Sequence, residues 1–317
     1  MKPKIAITMG DPAGIGPEIL LKALNSRRVK KACTPVVVGS PAVLSLISKK
    51  TSYPLSRSIE IVDPLGETSP DPSTIKPGKL PKIWARAVVA YIEEAVRLAV
   101  GSDVDAIVTA PINKAALSKA GFSFPGHTEF LAHLTGTKDY VMMLGGERLK
   151  VALVTIHVPL KDVPKLITPK EVFKVIRITD EALKKRFRIK RPRIAVAGLN
   201  PHAGEAGLFG DEEARLIMPA VRRARRARIK VTDPIAPDTV FFRAVNGEFD
   251  CVVCMYHDQG LGPLKLIHFE DGFNATLGLP IIRTSVDHGT AYGLAWKAKA
   301  SAESMITAIL TAARMAG

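Results

Sequence analysis

Short, nearly uninterrupted apolar runs alternate along this chain with longer segments of helical periodicity, and that alternation constrains the fold more than any other feature. KIAITM (4–9), PVVVG (35–39), IEIVD (59–63), VDAIVTA (104–110), LKVALVTI (149–156), RIAVAG (193–198) and FDCVVCMY (249–256) read as strands. Several lack polar alternation, as expected of strands covered on both faces. Between them, PEILLKAL (17–24), IWARAVVAYIEEAVRLAV (83–100), PKEVFKVIRITDEALKKR (169–186), DEEARLIMPAVRRARR (211–226) and ESMITAILTAARMA (303–316) carry apolar residues at helical spacing. This pattern predicts an α/β fold around a mostly parallel sheet. DPLGETSPDPSTIKPGKLP (63–81) reads as a loop or lid, and no internal repeat is seen.

The chain has 317 residues, 47% of them hydrophobic, enough for one large domain or two lobes. No stretch approaches the roughly 18 apolar residues of a membrane span, so no membrane partner is expected. The apolar run before Gly10 and Asp11 is too short for a signal-peptide core. Three cysteines without framework spacing point to a reducing, cytoplasmic setting. The net charge of +15 concentrates in KKRFRIKRPR (184–193) and RRARRARIK (222–230). These runs hold few aromatics to stack on bases, so nucleic acid is not expected; a solvated basic face that attracts an anionic substrate is.

Three histidines follow strands in similar settings: His157 in VTIHVPL, His202 in GLNPHAGE and His257 in MYHDQGLGPLK. Their separations of 45 and 55 residues rule out a zinc finger. One such histidine is more often structural. Three at equivalent strand ends can converge on one cation at the rim of a parallel sheet, leaving positions open for substrate. Asp258 can orient an imidazole. His257 and Asp258 are expected in a short polar turn. His133 reads as structural, His268 as a strand-end or surface residue, and His288 keeps an open role.

Other junctions suit anions. GDPAGIGPE (10–18) leads from a strand into a helix but meets neither the P-loop nor the dinucleotide fingerprint; a tight turn is the competing reading. FPGHTEFLA (124–132) places His127 and Thr128 at a helix start, where they can hold a phosphate or carboxylate or serve as a plain cap. Lys265 and Arg283 have the charge to bind either anion, Arg283 at the end of a strand-like LPIIRTS, with Asn274 between them. Cys251 and Cys254 sit three apart in an apolar strand, facing opposite ways, against a redox or metal role.

Taken together, ITMGDPAGIGPEI, APINK, GHTEFLA, NPHAGE, YHDQGL and GFNATLGLPIIRTSVDHGTA resemble the 4-hydroxythreonine-4-phosphate dehydrogenase family of vitamin B6 biosynthesis, from residue 4 to about 300. The resemblance implies an α/β/α subunit, residues 1–317 forming a single catalytic unit of two subdomains, akin to isocitrate and isopropylmalate dehydrogenases. It implies a cytoplasmic homodimer with its site near the interface. It also implies NAD as cofactor and a small phosphorylated hydroxy acid as substrate. By motif, the cation ligands fall on His157, His202 and His257, and substrate contacts on His127, Thr128, Lys265, Asn274 and Arg283. Asp238 and Asp258 match acidic positions near the family's site. After DHGTA this chain reads YGLAW, departing at Gly293 and Trp296 from the family's small and acidic pattern.

The implied reaction oxidises the C3 hydroxyl of 4-phosphooxy-L-threonine and decarboxylates the product to 3-amino-2-oxopropyl phosphate. Asp258, Asp238 and Lys265 are the candidate bases. Three imidazoles favour zinc, with cobalt or magnesium as alternatives. A paralogue acting on 4-phospho-D-threonate or 4-phospho-D-erythronate carries the same core motifs. A phosphate acyltransferase-like enzyme is a reading from another class.

Overall fold

The computed structural model describes residues 2–122, 124 and 126–317; Pro125 of the FPGHTEFLA motif lies outside the described residues. In chain order these form β1 (Lys4–Thr8), α1 (Gly16–Asn25), α2 (Arg27–Ala32), β2 (Thr34–Val38), α3 (Pro41–Thr51), β3 (Glu60–Val62), α4 (Lys82–Val100), β4 (Ala106–Thr109), α5 (Lys114–Lys119) and α6 (His127–Leu134). Next come β5 (Val141–Gly145), β6 (Lys150–Leu153), α7 (Val163–Leu166), α8 (Pro169–Lys185), β7 (Ile194–Ala197), α9 (Met218–Arg226), β8 (Val231–Ile235), α10 (Pro237–Val245), β9 (Cys251–Cys254), α11 (His257–Ile267) and β10 (Phe273–Leu277). The last elements are β11 (Arg283–Val286) and α12 (Glu303–Ala316). Two compact units result: residues 1–138 with 279–317, and residues 139–278.

The first unit has strand order β3-β2-β1-β4-β11, every pair parallel. Ile5, Ala6, Ile7, Val37, Val38, Ala106, Ile107 and Val108 have essentially no exposed surface, which explains why these strands read as unbroken apolar runs. Helix α1 starts with Pro17 in its first turn, where the ring costs no hydrogen bond, and buries Ile19, Leu20 and Leu21. Each such side chain contributes about 1.5–3 kcal/mol on leaving water. Trp84 of α4 is fully buried and donates from Nε1 to Thr74 Oγ1 at 2.9 Å, so Trp84→Ala is expected to cost about 3–5 kcal/mol.

The second unit has strand order β10-β5-β6-β9-β7-β8. Strand β5 runs antiparallel to both neighbours; the pairs from β6 to β8 are parallel. Val151, Leu153, Val252, Cys254, Ala195 and Ala197 of the sheet pack with Val240, Phe241 and Leu264 from α10 and α11.

The sequence reading is corrected at MYHDQGLGPLK. This segment is the helix α11, not a polar turn, and His257 is its first residue. Gly260, Gly262 and Pro263 argue locally against a helix. Tertiary contacts override them. The buried Gln259 accepts from Met255 N at 2.7 Å and donates to Gly198 O at 2.6 Å. Gly260 seats so closely that an added Cβ would stand 3.0 Å from Cys254 Sγ. Residues 211–226 also differ from one continuous helix: a π-helical turn, Glu213–Ile217, precedes α9.

Candidate active site: an imidazole edge and a buried guanidinium

In the second unit, β6, β9 and β7 are adjacent and parallel. They end at Leu153, Cys254 and Ala197, and His157, His257 and His202 follow within a few residues. The three histidine-bearing segments therefore leave one carboxyl edge, where open α/β sheets bind ligands. The His157 and His257 rings lie with centroids 5.5 Å apart, inclined by 44°. Both line a cavity of about 420 Å³ with Thr155, Ile156, Tyr256 and Asp258. Asp258, 89% exposed, lies 2.6 Å from His257 Nδ1. With the carboxylate accepting, Nδ1 carries the proton and Nε2 keeps its lone pair.

His202 is exposed and stands on a left-handed turn, its ring 5.9 Å from Phe209. Among the described residues no three His, Cys, Asp or Glu side chains gather closely enough to hold a cation. One chain thus pairs two of the three expected imidazoles. Two imidazoles, one oriented by a carboxylate, fit a borderline cation such as zinc or cobalt better than magnesium. Among the described residues, no third imidazole joins His157 and His257.

The first unit places a different chemistry at its strand ends. Arg283 is the first residue of β11, not the end of a strand as the sequence suggested, and is only 2% exposed. Its Nη2 donates to Thr109 Oγ1 at 2.7 Å, at the end of β4. Burial pushes its guanidinium down to about 9, partly countered by the Glu129 carboxylate. His127 and Thr128 open helix α6. His127 is half-buried as a residue, but its Nε2 is buried and has no hydrogen-bond partner among the described residues. Burial first, then the positive charges of Arg283 and Lys114, hold the imidazole well below its ordinary range, so it is neutral at pH 7. The buried Arg283 cation and the Lys114 ammonium both act on the neutral His127 ring, and groups of this kind are able to bind an anion. Lys114 belongs to this group although sequence reasoning gave it no role. Its signal lay in APINK, where the ammonium follows the cap residue Asn113.

The remaining candidates are scattered. Lys265, half-buried in α11, sets its ammonium 5.5 Å from the Phe269 ring. Asn274 in β10 has a buried Oδ1 with no partner among the described residues, which marks it for a ligand or water. Asp238 is exposed in the first turn of α10. His268 is buried, not a surface residue. It accepts from Arg148 N at 3.2 Å and faces Asp271 at 3.0 Å, a structural placement. Cys251 and Cys254 are buried in β9; burial pushes the Cys251 thiol up to about 12 and holds Cys254 well above the ordinary thiol range, so neither is a thiolate.

The glycine-rich loop is packed rather than open. A Cβ on Gly10 would lie 2.6 Å from Pro111 O, and one on Gly16 2.5 Å from Met9 O, which favours the tight-turn reading. The departing segment after DHGTA leans on this loop. Tyr292 donates to Asp11 Oδ2 at 2.5 Å, and Trp296 Nε1 donates to Pro12 O at 3.0 Å. Burial raises the Asp11 carboxyl, opposed by hydrogen bonds from Tyr292, Ala13 and Gly14.

Mostly parallel α/β units with paired imidazoles at adjacent strand ends are the architecture of the ligand-binding α/β proteins. Within it, the chain belongs to the pyridoxal phosphate biosynthetic protein PdxA family, whose model matches residues 31–312. It is 51% identical to a 4-hydroxythreonine-4-phosphate dehydrogenase of Desulfosudis oleivorans, over 97% of this chain and 94% of that protein. It is 46% identical to a D-threonate 4-phosphate dehydrogenase of Salmonella typhimurium, covering 98% of each. A solved 4-hydroxythreonine-4-phosphate dehydrogenase from Klebsiella pneumoniae superposes with a TM-score of 0.90 at 45% identity, with 100% of both chains covered. These relatives are named dehydrogenases, and the mostly parallel α/β fold agrees with the sequence reading. No helix among the described residues is long and apolar enough to cross a membrane.

Proposed function

We propose that this dehydrogenase oxidises and decarboxylates 4-phosphooxy-L-threonine, giving 3-amino-2-oxopropyl phosphate, carbon dioxide and NADH. The observation that carries the reading is the Arg283–His127–Lys114 group, which suits a phosphorylated acid. Arg283 and Thr128 donate to the anion, and neutral His127 adds a further N–H. In the second unit, the buried Asn274 Oδ1 is an acceptor available to a polar ligand. Within the imidazole-bearing unit, Asp258 orients His257, and Asp238 is the candidate carboxylate base.

A divalent cation held by His157, His202 and His257, zinc by preference, would supply Lewis-acid polarisation of the substrate oxygens. NAD would accept the hydride; no side chain is assigned to it. The pairing of His157 with His257 supports the cation site. We infer a homodimer in which His202 of a second copy supplies the third nitrogen. The exposure of His202 and of the apolar Leu208, Phe209 and Phe242 supports this inference.

The second reading, oxidation of 4-phospho-D-threonate, is favoured by the 46% identity to the Salmonella enzyme. The test offers each substrate separately with NAD and a divalent cation. NADH formed faster from 4-phosphooxy-L-threonine supports the first reading. Faster turnover of 4-phospho-D-threonate overturns it.

A further inference from the structure

The turn that carries His202 is built against backbone preference. His202, Ala203, Gly204, Glu205 and Ala206 run at φ of 54, 55, 80, 39 and 56 degrees. Only the glycine adopts that region freely, and consecutive L-residues rarely do. Strain of this kind persists only where surrounding contacts fix it.

Those contacts converge on one carboxyl group. Glu213 opens the π-helical turn Glu213–Ile217, a form uncommon in proteins and frequent at functional sites. It is buried, and its side chain turns back toward the His202 segment. Oε1 accepts from Leu199 N and Asn200 N, both at 2.7 Å, and Oε2 accepts from Asn200 Nδ2 at 3.0 Å. Asn200 Nδ2 also donates to Glu212 at 2.7 Å. A Cβ on Gly204 would stand 2.8 Å from Glu213 Oε2, so the turn closes directly onto the carboxyl group. The same segment is tied to the second imidazole element, because Gln259, two residues after His257, donates to Gly198 O at 2.6 Å.

We propose that Glu213 is a positioning residue: by gripping Leu199 and Asn200 from the π-turn, its carboxylate holds the left-handed turn 202–206 and sets the direction in which His202 is offered to a divalent cation. This rests on the reading of His202 as a cation ligand. Glutamine at 213 offers one acceptor oxygen and one amide donor, and cannot accept from all three N–H groups at once.

The test titrates the full-length protein with cobalt(II), following the absorption of the bound ion, with melting temperatures alongside. The variants are E213Q, the milder N200A, and H202A. Partners of this kind typically set metal affinity by about 10–100-fold. E213Q is expected to bind cobalt at least tenfold more weakly with altered absorption bands, N200A to shift both in the same direction by less, and H202A to lose the ion. A merely structural role would lower the melting temperature and leave the affinity and spectrum of the folded protein unchanged. Wild-type affinity and spectrum in E213Q, with H202A defective, overturns the proposal. Should E213Q not fold, wild-type cobalt binding by N200A overturns it instead. Wild-type binding by H202A defeats the ligand reading itself, and the role of Glu213 falls with it.

Discussion

Replacing Arg283 by methionine separates stability from function. The guanidinium is 2% exposed, and burial has brought it down to about 9 from its ordinary value above 12. At about 1.4 kcal/mol per tenfold change, keeping that charge inside costs on the order of 4 kcal/mol. The group is protonated at pH 7 both folded and unfolded, so the full penalty applies there. That figure already includes the opposing pull of the Glu129 carboxylate; the hydrogen bond to Thr109 accompanies it. Arg283→Met removes that cost, and the Glu129 carboxylate left behind is only half-buried, so the penalty of an unpaired buried charge is small. R283M is therefore expected to melt higher, by about 2 °C per kcal/mol in a chain of this size. Substrate affinity moves the other way. Each hydrogen bond to a charged group is worth about 1.5–3 kcal/mol, so KM should rise at least about tenfold. Calorimetry and NADH-coupled kinetics on the same preparation decide. A variant that melts lower with unchanged KM would refute both halves of the reasoning.

Three further outcomes follow from the same geometry. His127 is held below its unfolded value, so the unfolded chain binds its proton first and stability falls as pH drops below about 6.5; H127Q should show a shallower loss of melting temperature between neutral and mildly acid pH, and an unchanged slope would count against it. D258N removes the carboxylate that fixes His257 and should weaken cation affinity by about tenfold, read by metal-buffered titration. Y292F removes the donor to buried Asp11 and should destabilise by about 1–3 kcal/mol in denaturant unfolding; a neutral result would show that the contact contributes nothing.

Apolar periodicity was sufficient to read the buried parallel strands, because burial on both faces leaves no polar residue to break the run. It was insufficient where neighbours decide. Strand β8 carries Asp233 and Pro234, which only an edge strand accommodates. Helix α11 forms through Gln259 and the seat under Gly260, neither of which local propensity registers. Strand ends placed the three histidines on one edge correctly. Their reach was not legible, since the left-handed turn at His202 depends on Glu213, eleven residues away in sequence. Lys114 escaped notice because the neutral His127 ring on which its charge acts stands on another helix.

Mixing two inactive variants tests most directly whether three imidazoles share one cation across two copies. H157A and H202A are each expected to be inactive, since every site lacks one ligand. Unfolded and refolded together, they pair at random. A mixed dimer then has one site with both substitutions and one with neither, so activity should return to about a quarter of the wild-type value. A mixture as inactive as its components would contradict a shared site.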